Sequence, residues 1–105
     1  MLGVAGRVQR LLVEELRGGE PTLGRLAKRM AMSARTLQRR LEEEGTSFAA
    51  VLDDTRRELA GAYMAQRDVA LADVSYLLGF SEQSAFTRAF QRWHGVAPSR
   101  YGARA

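Results

Sequence analysis

One pattern of apolar and small residues occurs twice along the chain, and it constrains the fold more than any other feature. The first copy consists of Leu23, Leu26, Ala27, Met30, Ser33, Leu37, Leu41 and Gly45. The second consists of Leu71, Val74, Ser75, Leu78, Ser81, Phe86, Phe90 and Gly95, with one extra residue after the serine and another before the glycine. Spacings of three and four residues mark one face of a helix. Each copy therefore predicts two helices, and the chain contains the same unit twice.

The break between the two helices of each copy is short. Small residues, Ala27 and Ser75, stand at the same place in each first helix and allow the following helix to cross closely, which is typical of a helix-turn-helix. Gly79 can supply a positive φ in the second turn, whereas the first turn has Ala31 and Met32 and no glycine, so its geometry stays open. A plain helical bundle would also explain the first copy alone. Repetition favours two helix-turn-helix units.

Three more helices complete the predicted fold. The first carries its apolar residues at Val4, Val8, Leu11, Leu12 and Leu16 and ends at Gly18 and Gly19. A long helix runs from Ser47 to about Gln66, and a short last helix starts at Pro98, since a missing N–H is harmless in a first turn. The predicted buried stripe of the long helix consists of Phe48, Val51, Leu52, Thr55, Leu59, Ala62 and Tyr63.

The ends of the helices carry their usual residues. Thr22, Ser33 and Ser81 are predicted to start helices two, three and six, and Gly45 and Gly95 to end helices three and six. No segment alternates with a period of two, so the fold class is all-α, with about seven helices and no sheet. We expect a first helix-turn-helix subdomain over residues 1–46, a central linker helix over 47–66 and a second subdomain over 67–105.

The charge of the chain favours a polyanionic partner. Sixteen basic residues, of which only Lys28 is not arginine, stand against twelve acidic ones and give a net charge of +4. Arginine can bind a phosphate or a guanine edge through two hydrogen bonds, although a GC-rich genome would produce the same preference. A length of 105 residues with 46% hydrophobic content suffices for one core, or for two small cores joined by a shared element.

Several function classes lack the residues they need. The absence of cysteine excludes disulfides, thiolate catalysis and zinc fingers, and a single histidine, His94, offers no metal cluster, so we expect no metal and no cofactor. His94 is expected to be structural or to face solvent. The serines are explained as helix caps, which leaves no catalytic constellation, and we expect no enzyme. No signal peptide or membrane-spanning run is present in the sequence, which favours a cytoplasmic protein that does not bind membranes.

The outward faces of helices three and six carry the candidate binding residues. If Leu37 and Leu41 point inward, the opposite face of helix three presents Arg35, Gln38, Arg39 and Glu42. Helix six presents Glu82, Gln83, Ser84, Thr87, Arg88 and Gln91. Arginine pairs with guanine and glutamine with adenine in the major groove. The alternative for helix three is that Arg39 and Arg40 merely pair with Glu43 and Glu44 one turn on.

Two such faces on one rigid frame favour DNA. A central helix of about 20 residues spans roughly 30 Å, close to the roughly 34 Å repeat of the duplex, so one monomer could contact two successive major-groove segments. Candidate phosphate contacts, which fix register without carrying sequence information, are Ser33, Thr36, Ser81 and Arg92.

Residues 73–101, DVSYLLGFSEQSAFTRAFQRWHGVAPSRY, carry a specific resemblance to a known family. Together with Leu26-Ala27, residues 33–41 (SARTLQRRL) and residues 45–48 (GTSF), they resemble the DNA-binding domain of the AraC/XylS family of bacterial transcription regulators. The resemblance implies recognition helices at positions three and six. It implies base contacts by the following residues: Arg35, Gln38, Arg39, Gln83, Ser84, Thr87 and Arg88.

The resemblance also bears on the rest of the protein. Arg57 falls in an arginine-containing stretch of the family's linker helix, where it would buttress the two halves or touch phosphate, and we favour the buttress. Many members place this domain after a larger effector-sensing domain. Nothing in these residues resembles one, so the chain is either a short stand-alone regulator or, as we expect, a fragment of a longer one. We expect the domain itself to be monomeric and associated with the nucleoid.

Two other kinds of binding protein remain as alternatives. A helical protein-interaction module contacting RNA polymerase or a partner subunit would use the aromatic run Phe80, Phe86, Phe90 and Trp93 as its surface, although that run has the spacing of a core. RNA binding usually displays exposed aromatic residues for base stacking, and none stands at a suitable spacing outside the predicted core.

Overall fold

Seven α-helices and one short 3-10 turn make up residues 3–66 and 69–102, which the computed structural model describes. The elements are α1 (Val4–Glu15), the 3-10 turn (Leu16–Gly18), α2 (Leu23–Arg29), α3 (Ala34–Glu43), α4 (Phe48–Met64), α5 (Leu71–Leu77), α6 (Gln83–His94) and α7 (Pro98–Gly102). The described residues contain no strand, so the all-α prediction is confirmed. The expected start of the second subdomain at residue 67 lies outside the described residues.

Two separate hydrophobic cores lie at the two ends of α4. The first core consists of Val8, Leu12, Leu26, Ala27, Met30, Leu37, Leu41 and Val51. The second consists of Ala60, Val74, Leu78, Phe86 and Phe90. The predicted central helix is confirmed, and its Val51 and Ala60 enter different cores. The stripe prediction was wrong at Ala62, which is exposed because Ala60 occupies the buried position.

Side-chain caps begin three of the helices. The hydroxyl oxygens of Thr22, Ser33 and Ser47 each accept a hydrogen bond from the backbone N–H of the residue three positions later in the chain, at 3.2, 3.1 and 3.1 Å. These caps of α2, α3 and α4 satisfy donors that have no partner within the helix. The predicted caps at Thr22 and Ser33 are confirmed, and the central helix begins at Ser47 as expected.

The start predicted for the sixth helix was wrong. Glu82, not Ser81, is the N-cap residue of α6, and its side chain makes no capping hydrogen bond. In the first unit the cap Ser33 precedes the first buried residue of its helix, Leu37, by four positions. The second unit has one more residue between Ser81 and Phe86, so the same spacing starts α6 one residue later.

The turns inside the two units have the same geometry. Gly79 adopts φ 79° after α5, and Ala31 adopts φ 57° after α2. In each unit the next residue donates its N–H to the carbonyl five residues back: Met32 to Ala27 at 3.0 Å and Phe80 to Ser75 at 3.2 Å. The first turn, which the sequence left open, is therefore a left-handed helix end formed without glycine.

We expect Ala31→Gly to stabilise the protein by about 0.5–1 kcal/mol, because glycine relieves the left-handed strain by more than it adds to the entropy of the unfolded chain. Urea denaturation followed by circular dichroism measures the change. Ala62→Gly, an exposed position inside α4 with helical backbone, is the matched control and should destabilise by about 0.5–1 kcal/mol. A lower midpoint for Ala31→Gly would contradict the strain at this turn.

Glu44 connects the end of α3 to the beginning of α1. Its carboxylate accepts hydrogen bonds from the backbone N–H of Val4 at 2.7 Å and of Ala5 at 3.0 Å. The alternative pairing of Arg40 with Glu44 is therefore not what this carboxylate does. The N–H of Ala5, and then that of Val4, hold the pKa of Glu44 below its ordinary 4.5, because they stabilise the charged form.

This cap makes stability depend on pH in one direction. Because the pKa is lower in the folded state, the stabilisation is present above the ordinary 4.5 and is lost as pH falls through the lower folded value. We expect Glu44→Gln to lower the midpoint of urea denaturation at neutral pH, and the gap to the wild type to narrow below pH 4.5. Glu43→Gln is the control, since the ion pair of Glu43 is an exposed one, with Glu43 Oε2 at 3.9 Å from Arg39 Nε. An equal difference in midpoint between the wild type and Glu44→Gln at neutral pH and below pH 4.5 would disprove the cap.

Candidate nucleic-acid interface

The outer face of α3 presents a shallow groove of polar side chains. Leu37 and Leu41 are fully buried, which turns the opposite side of the helix to solvent. The groove is lined by Arg35, Thr36, Gln38, Arg39 and Glu42. Three of the predicted base-contacting residues thus lie together on one exposed face.

The side chains of this face have few partners within the protein. Arg39 Nε lies 3.9 Å from Glu43 Oε2, and both side chains are about two-thirds exposed (64% and 67%). Exposed pairs of this kind contribute little and are screened by salt. Within the part of the chain that the structure describes, Arg35 and Gln38 have no side-chain hydrogen bond or ion pair. The guanidinium and amide groups of this face are therefore available to a ligand.

The outer face of α6 carries the second group of predicted contacts. Phe86, Ala89 and Phe90 are buried. The predicted contacts on the other side are exposed at Gln83, Ser84 and Arg88 and half-buried at Thr87. Both groups thus lie on the second helix of a helix-turn-helix unit. Their contacts with bases stay predictions.

The predicted phosphate contacts are placed less uniformly. Ser33 Oγ accepts a hydrogen bond from the N–H of Thr36 and donates one to Thr36 Oγ1 at 2.9 Å. Its hydroxyl is therefore already hydrogen-bonded as the N-cap of α3. Ser81 is exposed in the turn before α6. Arg92, on α6, forms an ion pair with Asp53 of α4. These contacts with DNA stay predictions.

A buried arginine on α4 was missed by the sequence analysis. The buttress was assigned to Arg57, which is exposed, whereas its neighbour Arg56 is buried. The Arg56 side chain donates to the backbone carbonyls of Leu78 at 2.7 Å and Gly79 at 3.0 Å. The spacing gave a signal, because Arg56 lies four residues before the buried Ala60, on the same side of the helix.

The aromatic run of the second unit forms a core. Phe86 and Phe90 are fully buried, and the ring centroids of Phe80 and Phe86, and of Phe86 and Phe90, lie 5.8 and 5.9 Å apart. Phe90 also packs against Trp93, with ring centroids 6.5 Å apart. These rings therefore stabilise the unit and do not offer the protein-interaction surface of the alternative hypothesis.

His94 belongs to the aromatic packing at the end of α6. The His94 ring packs against Phe90 and Tyr101, with centroids 4.5 and 5.1 Å apart.

Among residues 3–66 and 69–102, no three histidine, cysteine or acidic side chains converge as metal ligands. No helix in the same ranges has the length and apolarity to span a bilayer.

Known proteins share both the sequence and this fold. The profile of a family described as "Helix-turn-helix domain" matches residues 26–104. The ornithine utilization regulator of Pseudomonas aeruginosa is 40% identical over 99 residues, covering 94% of this chain and 29% of that protein. A DNA-binding transcriptional dual regulator from Escherichia coli K-12 has a TM-score of 0.89 at 26% identity, covering 97% of this chain and 91% of that one. The DNA-binding domain of AdpA, solved in complex with a target DNA, has a TM-score of 0.82 at 26% identity, covering 97% and 92%.

The chain corresponds to one part of longer relatives. It spans 29% of the ornithine utilization regulator and 28% of the regulator VirS of Mycobacterium tuberculosis, which is 39% identical over 100 residues that cover 95% of this chain. VirS is described as an HTH-type transcriptional regulator. With the profile match, the repeated helix-turn-helix units and the outward polar faces of α3 and α6, the chain belongs to the AraC/XylS family of transcription regulators and carries its DNA-binding domain.

Proposed function

We propose that α3 and α6 are recognition helices that enter two successive major-groove segments of one double-stranded operator. Arg35, Gln38 and Arg39 would contact bases in one half-site. Gln83, Ser84, Thr87 and Arg88 would contact bases in the other. In this proposal the subdomains 1–46 and 67–105 each bind a half-site, and the helix within 47–66 sets the distance between them.

One observation carries the proposal. Each helix-turn-helix unit has its own core, and its second helix buries one face in that core and leaves a polar face in solvent. Arginine and glutamine on these faces match the donor and acceptor patterns of guanine and adenine. The 17 residues of α4 span about 25 Å, and the helices packed at its two ends add to that distance. The separation is thus of the order of one duplex turn, roughly 34 Å.

The phosphate contacts belong to the same proposal. Ser33, Thr36 and Ser81 lie at or near the beginnings of α3 and α6, where backbone N–H groups also attract phosphate. Arg92 would exchange its exposed ion pair with Asp53 for a phosphate oxygen. Contacts of this type fix the register of the protein on DNA.

Selection from a random pool of duplex DNA at about 150 mM salt, where specific binding exceeds non-specific binding, tests the proposal. We expect enrichment of two short motifs about one helical turn apart. The double variant Arg39→Ala, Arg88→Ala is expected to lose that enrichment. No enrichment by the wild type, with only weak and salt-sensitive binding, would contradict base-specific binding by this domain.

The two kinds of contact predict different mutant behaviour. We expect Arg39→Ala to lower affinity for the selected operator by about 1–3 kcal/mol and to relax base preference in one half-site. We expect Arg92→Ala to weaken binding to every duplex alike and to reduce the slope of log K against log salt by about one. Fluorescence anisotropy on matched and scrambled duplexes measures both. Equal, uniform losses from the two variants would refute the assigned roles.

Cellular context follows from the DNA ligand. We propose that the domain acts at the nucleoid in the cytoplasm as a non-enzymatic monomer, and that its partner is promoter DNA. A contact with RNA polymerase is a second candidate, and the exposed Tyr76 on α5 is the residue that favours it. Binding of purified RNA polymerase to the domain in the absence of DNA, lost in Tyr76→Ala, would support that contact.

A further inference from the structure

A guanidinium group on α4 connects the two helix-turn-helix units. Arg56 Nε donates to the carbonyl of Leu78, and Nη2 donates to the carbonyl of Gly79 at 3.0 Å and to Glu20 Oε1 at 2.9 Å. Its carbon Cζ lies 3.9 Å from the centre of the Phe80 ring. We call these five residues the Arg56 clamp. Glu20 precedes α2 in the first subdomain, and Leu78, Gly79 and Phe80 form the turn of the second unit.

The contacts of the clamp are strong for a helix surface. The Arg56 side chain is only 8% exposed, so its hydrogen bonds face little competition from water. Carbonyl oxygens at a helix end carry partial negative charge, and a charged donor binds them more tightly than a neutral one. The planar group contacts three acceptors and a ring at once, so rotating it would break several contacts together. The turn is therefore held against α4 in one orientation.

A second connection holds the other helix of the same unit. Trp93 Nε1 donates to the Asp53 carboxylate, with both oxygens at 3.1 Å. This contact is separate from the Arg92–Asp53 ion pair, which the proposed phosphate contact replaces. Asp53 lies three residues before Arg56 on α4, about one turn away. The turn before α6 and the far end of α6 are thus both fixed to α4.

The two cores share no buried residue and are joined by α4 and by the contact of Gly79 with the backbone of Leu16 and Gly19. Their relative angle therefore depends on the contacts between the units, and Arg56 makes the polar ones. We propose that Arg56, assisted by Asp53, is a positioning residue that restricts the protein to operators with a single spacing between the two half-sites. This inference rests on the proposed two-site DNA binding.

A fixed orientation of the two units sets the effective concentration of the second recognition helix at its half-site. When one recognition helix is bound, the second binds its half-site intramolecularly, and the gain is lost if geometry forbids simultaneous contact. Inserting or removing one base pair moves a half-site by about 3.4 Å and rotates it by about a tenth of a turn. A rigid pair of units cannot follow that displacement, whereas a loosened pair can.

Binding to spacing variants of the selected operator tests the inference. The probes are the enriched duplex, the same duplex with one base pair inserted or removed between the motifs, and a duplex with one motif only. We expect the wild type to lose roughly tenfold or more on either changed spacing and Arg56→Met to lose less than roughly threefold. Affinity for the single-motif duplex is expected to be the same for both proteins.

Arg57→Met is the matched control, because it removes the same charge from the adjacent, exposed position. It should keep the wild-type ratio between correct and changed spacing. A merely structural loss would lower affinity for all duplexes by one factor and leave that ratio unchanged. If Arg56→Met does not fold, Asp53→Ala takes its place, since the Asp53 side chain is 39% exposed, and the ratio should again fall.

The outcomes separate this inference from the proposed function. A wild type that selects two motifs but tolerates every spacing, or a variant that folds and keeps the wild-type ratio, overturns the positioning role and leaves DNA binding intact. A wild type that selects no paired motifs overturns the proposed function itself.

Discussion

Gly79→Ala is expected to destabilise the protein by about 2–4 kcal/mol, because the new Cβ meets both backbone strain and a steric clash. Gly79 has φ 79°, a conformation that alanine adopts only at a cost. An ideal Cβ there would lie 2.8 Å from the carbonyl oxygen of Gly19 and 2.9 Å from that of Leu16. These atoms are backbone of the 3-10 turn in the first subdomain, so the clash is relieved only if backbone shifts.

Gly95→Ala isolates the strain from the clash. Gly95 has nearly the same φ, 77°, but a Cβ there would meet no atom within 4 Å. Its substitution should cost about 1 kcal/mol, the backbone term alone. Urea denaturation at neutral pH, followed by circular dichroism, measures both free energies of unfolding. Equal losses for the two variants would show that the turn of the second unit does not press against the first.

The fold was predictable because its main signals are local. Hydrophobic spacing and capping residues depend only on neighbours in the chain, so Thr22, Ser33 and the beginning of the central helix at Ser47 were assigned correctly. The predicted cap at Ser81 was wrong, although the sequence contained the information needed to correct it. An extra residue separates Ser81 from Phe86 and moves the start of α6 by one position. Ala31 shows the limit of residue type, because an alanine takes a conformation that glycine usually provides.

The contacts between the units could not be predicted from spacing. Arg56 counts as polar in any hydrophobic pattern. Its hydrogen-bond partners include two backbone carbonyls that lie more than twenty residues away in the chain. Asp53 likewise meets Trp93 only after both helices have docked. All the candidate base-contacting residues except the half-buried Thr87 are exposed, because exposure follows from the burial of Leu37 and Phe86 on the opposite sides. The bases that they would contact in the proposed complex depend on the docking angle, which local sequence pattern does not determine.

The aromatic core of the second unit predicts the other large effect. Phe90 is fully buried and packs against Phe86, Trp93, His94 and Tyr101, so it joins the middle of α6 to its end and to α7. We expect Phe90→Ala to lower the free energy of unfolding by about 3–5 kcal/mol, through lost burial and the cavity that remains. This is a large part of the stability of a small domain.

Trp93 and Tyr76 make that experiment specific. Trp93 is the single tryptophan of the chain and lies in the second unit, so its fluorescence reports unfolding there, while circular dichroism reports all helices. Tyr76→Ala is the control, since Tyr76 is 67% exposed on α5 of the same unit and its loss should change stability by less than about 0.5 kcal/mol. Because the first core shares no buried residue with the second, Phe90→Ala should shift the fluorescence transition more than the circular dichroism transition. A small effect of Phe90→Ala on both signals, beside a comparable effect of Tyr76→Ala, would mean that the aromatic run is a surface after all and would restore the protein-interaction hypothesis.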